Sequence, residues 1–321
     1  MDWNLSSGGT VVYRVSQGIA VLIIGLRFLL TPIPPDSPVL LPFALTLAAI
    51  FLLAFVVRIL AGNYGGAISQ LVLSWHAGFV AFSPDRTLAL FCLSAAVALL
   101  ATRDYTTDRT HNAALCLALA VPVALTWRMR LCFVPLWAAV AFSYLLLRYV
   151  PPDSVRPFRT LLRALRANRS CAQWEFLIMT AAGLLSAIPL LLSGTTRIHS
   201  AFHSAMADPA GYSVAVARLF VQFLGTGEDL DTLPARLVPP LLIASAVTLW
   251  WLFVSVQSGS GLPFSLTAIP VAYLVSGALS LRAGYSYAHA VYPILLANLI
   301  AFLGLWWRGR ANKRVLDSTP D

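Results

Sequence analysis

Val39-Leu-Leu-Pro-Phe-Ala-Leu-Thr-Leu-Ala-Ala-Ile-Phe-Leu-Leu-Ala-Phe-Val-Val-Arg-Ile-Leu-Ala61 decides the fold class. A membrane-crossing helix needs about 20 apolar residues to traverse a hydrocarbon core of about 30 Å, and it satisfies its backbone polar groups internally. This run meets that requirement, and the flanking sequence repeats the pattern. Apolar stretches predict spans near 17–34, 39–61, 67–82, 87–101, 112–126, 131–147, 175–193, 238–256, 263–281 and 286–307. The third, fourth and fifth are short. Fifteen helical residues reach only about 22 Å, so these three border a cavity, thin the bilayer locally or re-enter it.

The composition agrees: 59% of the 321 residues are hydrophobic, 11% are charged and the mean hydropathy is +0.78, a balance incompatible with a soluble globule. The expected fold is all-α, a polytopic transmembrane helix bundle of about ten spans (eight to ten) forming one integral membrane domain over 1–321. The first span begins late and ends in Thr31-Pro-Ile-Pro-Pro35 without a small-residue cleavage site, so it serves as its own signal anchor.

Basic residues set the orientation, because short loops rich in Lys and Arg stay on the cytoplasmic side. Arg148, Arg156, Arg159, Arg163, Arg166 and Arg169 fill the 148–174 loop, and Arg308, Arg310, Lys313 and Arg314 follow the last span in the 308–321 tail. With ten spans, 14 of the 22 basic residues lie inside, seven lie outside and Arg27 lies within the first span. Both termini are then cytoplasmic. Trp306 and Trp307 read as an interfacial anchor, and Trp250 and Trp251 do so only in a tilted helix. The net charge of +9 does not imply nucleic acid, since the clusters sit beside spans where anionic headgroups account for them. Cys92, Cys116, Cys132 and Cys171 form no C-x-x-C pair and read as small apolar fillers.

The polar residues concentrate on the expected outer side. Arg27, buried among leucines, needs headgroups or an anion such as Asp36 to offset its insertion cost. Asp36 stands in Pro34-Pro-Asp-Ser-Pro38, Asp85 and Arg86 in Ser83-Pro-Asp-Arg86, and Arg128 in Trp127-Arg-Met-Arg130. Acids and arginines at one mouth suit a phosphate-bearing substrate: Arg forks hold the phosphate and a carboxylate takes a proton. Solvated turns explain each residue alone equally well.

The 194–237 loop is the long outer segment. Asp208-Pro209 places an N-cap before Pro at the first helical position, and Val216, Leu219, Phe220, Phe223 and Leu224 recur at helical spacing until Gly225. An amphipathic interfacial helix is predicted there, with Arg218 on its polar side and Arg236 beyond it. Gly227-Glu-Asp-Leu-Asp231 is half a divalent-cation loop without the closing Glu, so no metal site is assigned and a divalent cation stays open as a cofactor. Asp104 and Asp108 stand four apart on the inner side, where a charged turn explains them. Arg282-Ala-Gly-Tyr-Ser-Tyr-Ala-His-Ala-Val-Tyr-Pro293 opens the last span, with Arg282, Tyr287 and His289 at headgroup depth.

Tyr285-Ser-Tyr-Ala-His-Ala-Val-Tyr-Pro-Ile-Leu-Leu296, the short helices around His111-Asn-Ala-Ala-Leu115 and Trp127-Arg-Met-Arg130, and the outer loop with its helix together resemble the GT-C-type integral membrane glycosyltransferases, including O-antigen glucosyltransferase and polysaccharide polymerase relatives. The resemblance implies sugar transfer from a polyprenyl-linked donor to a glycan acceptor at the outer face. It implies Asp36 as catalytic acid–base, because the family keeps its acid in the first outer loop. That loop is about four residues here, so Asp208 is the alternative. Arg27, Asp85, Arg86, Arg128, Arg218, Arg236, Arg282, Tyr287 and His289 are the implied substrate-binding residues, with membrane lipids as the other partner. Two other classes stay open: a transporter or flippase of lipid-linked or anionic solutes, and a membrane O-acyltransferase.

Overall fold

Gly62 breaks the longest helix of the chain. The computed structural model describes residues 7–30, 40–76, 84–102, 109–128, 131–132, 134–151, 156–185, 205–225, 238–258, 261–280 and 290–317. Its helices, in chain order, are α1 (Ser7–Leu30), α2 (Leu40–His76), α3 (Pro84–Ala101), α4 (Arg109–Arg128), α5 (Val134–Tyr149), α6 (Pro157–Ala167), α7 (Arg169–Leu185), α8 (Pro209–Gly225), α9 (Val238–Ser258), α10 (Gly261–Leu279) and α11 (Tyr292–Asp317). No strand occurs among the described residues. The fold class is all-α, as the sequence predicts.

Within α2, Gly62 has φ 80° and ψ −177°, a backbone conformation that a Cβ makes costly. A Cβ on Gly66 would lie 2.8 Å from the Cβ of Arg58, and one on Gly65 would lie 3.7 Å from Cγ1 of Val57. Residues eight apart in a continuous helix are separated by about 12 Å. The chain therefore reverses at Gly62, and the two halves of α2 run against each other. A Cβ on Gly304 of α11 would meet the Cβ of Ala61 at 2.4 Å, so α11 packs backbone-close on the same turn. Lipid supplies no hydrophobic drive between helices, and small residues that let backbones approach are what hold such a crossing.

By length and composition, three stretches of described helix are apolar enough to cross a membrane: Gly8–Leu26, Leu40–Trp75 and Gly261–Leu279. Asn112–Ala124, Val134–Tyr149, Ile243–Val254 and Tyr292–Arg308 are shorter apolar helices. The described residues thus hold helices apolar enough to cross a membrane, three of them of full length, where the sequence predicts about ten spans over the whole chain. Two element boundaries differ from that expectation. The expected 39–61 and 67–82 spans are one 36-residue stretch folded at Gly62, and the last helix starts at Tyr292 rather than near 286, with Pro293 tolerated in its first turn. The first span also starts nearer the N-terminus, with α1 opening at Ser7, and Arg27 lies in the last turn of α1 between Leu26 and Phe28.

Of the 18 most apolar residues in a row, 78% are buried in α10 and 44% in α2, which makes α10 the central helix. It packs on α5, α9, α3, α8 and α11, while α2 packs on α1, α3 and α11. Leu136, Val140 and Tyr144 of α5 interlock with Leu266, Ile269, Tyr273 and Leu274 of α10 in one continuous core. Gly261 meets Leu147 at one end of this pair, and the Cys132 amide bonds Ser280 at the other, so α5 and α10 are antiparallel. The basic 148–174 segment, read as a loop, contains α6. This helix buries Pro157 and Leu161 and leaves Arg159, Arg163 and Arg166 exposed. Trp251 is buried edge-to-face on Phe302, whereas Trp250, Trp306 and Trp307 are exposed.

Candidate functional site

The last carbonyls of a helix have no partner within it, and α10 finds partners for its own at one corner of the bundle. The Tyr212 hydroxyl of α8 donates to the Leu279 carbonyl at 2.5 Å, and the Cys132 amide at the start of α5 donates to Ser280 Oγ at 2.7 Å. Ser280 Oγ in turn donates to the Ser276 carbonyl at 2.8 Å. Burial, with a smaller contribution from Cys132, raises the Tyr212 phenol above its ordinary value, so it remains a donor throughout the physiological range. Three elements that are distant in sequence therefore converge within a few ångströms.

Asp208 stands one turn before Tyr212. Its Oδ1 accepts the Gly211 amide at 2.9 Å, and its carbonyl accepts the Tyr212 amide at 2.9 Å, which is N-cap geometry with Pro209 at the first helical position. Asp208 is exposed, so its carboxylate faces solvent while capping. Val216, Leu219 and Phe220 press on the core, and Arg218 is exposed on the opposite side. The helix predicted in the 194–237 segment is present, and it packs on α9 and α10.

Of the other sequence-predicted site residues, Asp36, Arg236, Arg282, Tyr287 and His289 lie outside the described residues, as do Glu228, Asp229 and Asp231. Arg128 ends α4, four residues before Cys132. Asp85 is exposed and Arg86 half-buried in the first turn of α3, a helix that packs on α2, α4 and α10. Asp208 stands at the corner, and Arg27 lies in the last turn of α1, a helix that packs on α2.

Two polar clusters escaped the sequence reading. Glu175 of α7, 2% exposed, receives the Tyr149 hydroxyl at 3.1 Å, lies 3.7 Å from the Arg148 guanidinium, and takes a contact from Cys171 Sγ at 3.7 Å. The second lies beside the Gly62 reversal. Ser16 hydrogen-bonds Gln70, Arg58 Nε donates to Asn63 Oδ1 at 2.7 Å, and the Arg58 guanidinium lies 4.7 Å from the Tyr13 ring centre. A charge inside an apolar run followed by Gly62-Asn-Tyr-Gly-Gly66 was the available signal for it. Nothing local marks the pairing of Arg148 with Glu175.

Among the described residues no group of three or more His, Cys, Asp or Glu is assembled to hold a metal ion. Cys92 and Cys116 are buried and form no disulfide among the described residues, in keeping with apolar filling. No protein-family model, curated protein or solved structure matches the chain.

Proposed function

We propose that the protein is a membrane enzyme that transfers or polymerises sugars from a polyprenyl-linked donor at the outer face of a bacterial cytoplasmic membrane. The observation that supports this reading is the corner where the Asp208-capped helix meets the end of α10 and the start of α5; in sequence, Arg282 follows Ser280 by two residues and Arg128 precedes Cys132 by four. The isoprenoid tail stays in lipid while its phosphate meets arginines at the interface. A carboxylate takes the proton of an acceptor hydroxyl, and that oxygen attacks the anomeric carbon. The carbon–phosphate oxygen bond breaks, and the lipid phosphate leaves with the bonding electron pair, its charge held by Arg282 and Arg128.

The reading takes the chain to cross the bilayer about ten times, with α2 contributing two crossings through its Gly62 reversal and the shorter apolar helices crossing inside the bundle. The Arg148–Glu175 end of α5 is then cytoplasmic and the Cys132 end is outside. Both termini and α6 lie on the cytoplasmic side.

Asp36→Asn and Asp208→Asn, expressed in cells at unchanged membrane abundance, test the base. Asn caps a helix as well as Asp does, so Asp208→Asn removes the charge and keeps α8, whereas Asp208→Ala costs about 1 kcal/mol of helix stability. Loss of sugar transfer in one Asn variant assigns the base to that residue. Full transfer in both removes the assignment. A carrier reading draws on one observation, the ion pair buried among apolar helices at Glu175, because ionisable groups at such depth often line transport paths.

A further inference from the structure

A second site lies at the other end of the bundle, away from the sugar-transfer corner. Beside the Gly62 reversal, α2 and α11 leave a groove of about 450 Å³, within the range of ligand sites. Gly62, Gly65, Ala61 and Gly304 form its floor, because the Ala61–Gly304 contact brings the two backbones too close for side chains to fill the space. Ile68, Ile300 and Leu303 form its apolar walls, and Ile68 and Leu303 are themselves about half exposed, so the groove opens sideways.

At one end stand Trp307, 70% exposed, and Arg308, whose Nη1 donates to the Leu60 carbonyl at 3.1 Å. That bond fixes a guanidinium at the mouth of an apolar trough. Arg310, Lys313 and Arg314 follow in the next turns of α11. Ile300 to Arg308 covers about 12 Å of helix, the length of a headgroup and the first part of a chain. An indole and a guanidinium at interfacial depth, above apolar walls open to lipid, match a molecule with an anionic head and an apolar tail.

We propose that this groove binds one anionic phospholipid from the leaflet facing the basic tail, with its phosphate on Arg308 and one acyl chain between Ile68 and Leu303. Charge complementarity selects the occupant, since four cationic residues between 308 and 314 favour an anionic headgroup over a zwitterionic one.

The test is native mass spectrometry of the full chain purified in detergent and exchanged with phosphatidylglycerol, phosphatidylcholine or a polyprenyl phosphate. Wild type is expected to retain one phosphatidylglycerol, about tenfold over phosphatidylcholine. Arg308→Gln and Leu303→Trp, the second filling the groove from a half-exposed position, should each lower that retention about tenfold. Ile68→Trp blocks the facing wall if Leu303→Trp does not accumulate. Equal retention in wild type and in the blocked variants overturns the proposal. So does equal retention of both phospholipids, and so does preference for polyprenyl phosphate over phosphatidylglycerol.

Discussion

Tyr212 and Leu279 are joined by a 2.5 Å hydrogen bond from the α8 phenol to the last carbonyl of α10, and this bond ties α8 to the central helix of the bundle. It places the Asp208 cap one turn from the point where the chain leaves for Arg282. The proposed site depends on that juxtaposition, and the first prediction tests it.

Tyr212→Phe keeps the ring and removes the donor. The expected cost is about 1 kcal/mol, expressed as faster amide exchange over 209–220 with the rest of the bundle unchanged. Exchange rates identical to wild type would mean that ring packing alone docks α8.

Gly304 and Ala61 should behave as one unit. A Cβ on Gly304 has no room against Ala61, so Gly304→Ala is expected to lower stability by about 1–3 kcal/mol through overpacking. Ala61→Gly in the same chain should recover most of the loss. Thermal unfolding of both single variants and the double gives the coupling; simple additivity would contradict the contact.

Removing one member of the buried pair at the α5–α7 junction leaves its partner's charge uncompensated, which costs about 3–5 kcal/mol. Arg148→Met or Glu175→Leu alone should therefore melt well below wild type. The two together should melt close to it, because no charge is then left unpaired. A double variant no more stable than the worse single one argues that the pair does more than balance charge.

The orientation makes its own prediction. In a background with the four native cysteines replaced, Asp208→Cys should react with an impermeant thiol reagent added to the outer face, and Arg166→Cys only after the inner face is opened. Labelling of both positions from the same side would contradict an odd number of crossings between α6 and α8.

What was legible in the sequence was local. The Asp208-Pro209 cap and the Val216–Leu219–Phe220 stripe specify α8 by residues within a few turns of one another, and the helix forms where they indicate. Span boundaries were less legible because hydropathy is an average. The first span was drawn towards the Leu-rich end of α1, whereas Tyr13 and Ser16 extend the packed helix towards Ser7 through contacts with α2 that no window detects. The reversal at Gly62 turns on a single positive φ, and glycine is common in membrane helices for other reasons. The Arg148–Glu175 cluster depends on the packing of α5 on α7, so neither spacing nor composition reveals it. Of the proposed site, the sequence supplied the residue types, and the structure supplied the meeting of α5, α8 and α10.

Sugar transfer itself is tested most directly by mass and linkage analysis of surface polysaccharide from cells carrying the wild-type gene, lacking it, or carrying Arg282→Ala. The account predicts a lost sugar branch or a shortened chain without the gene, and the same defect in the Arg282→Ala cells at normal protein abundance. Identical glycans in all three would contradict it.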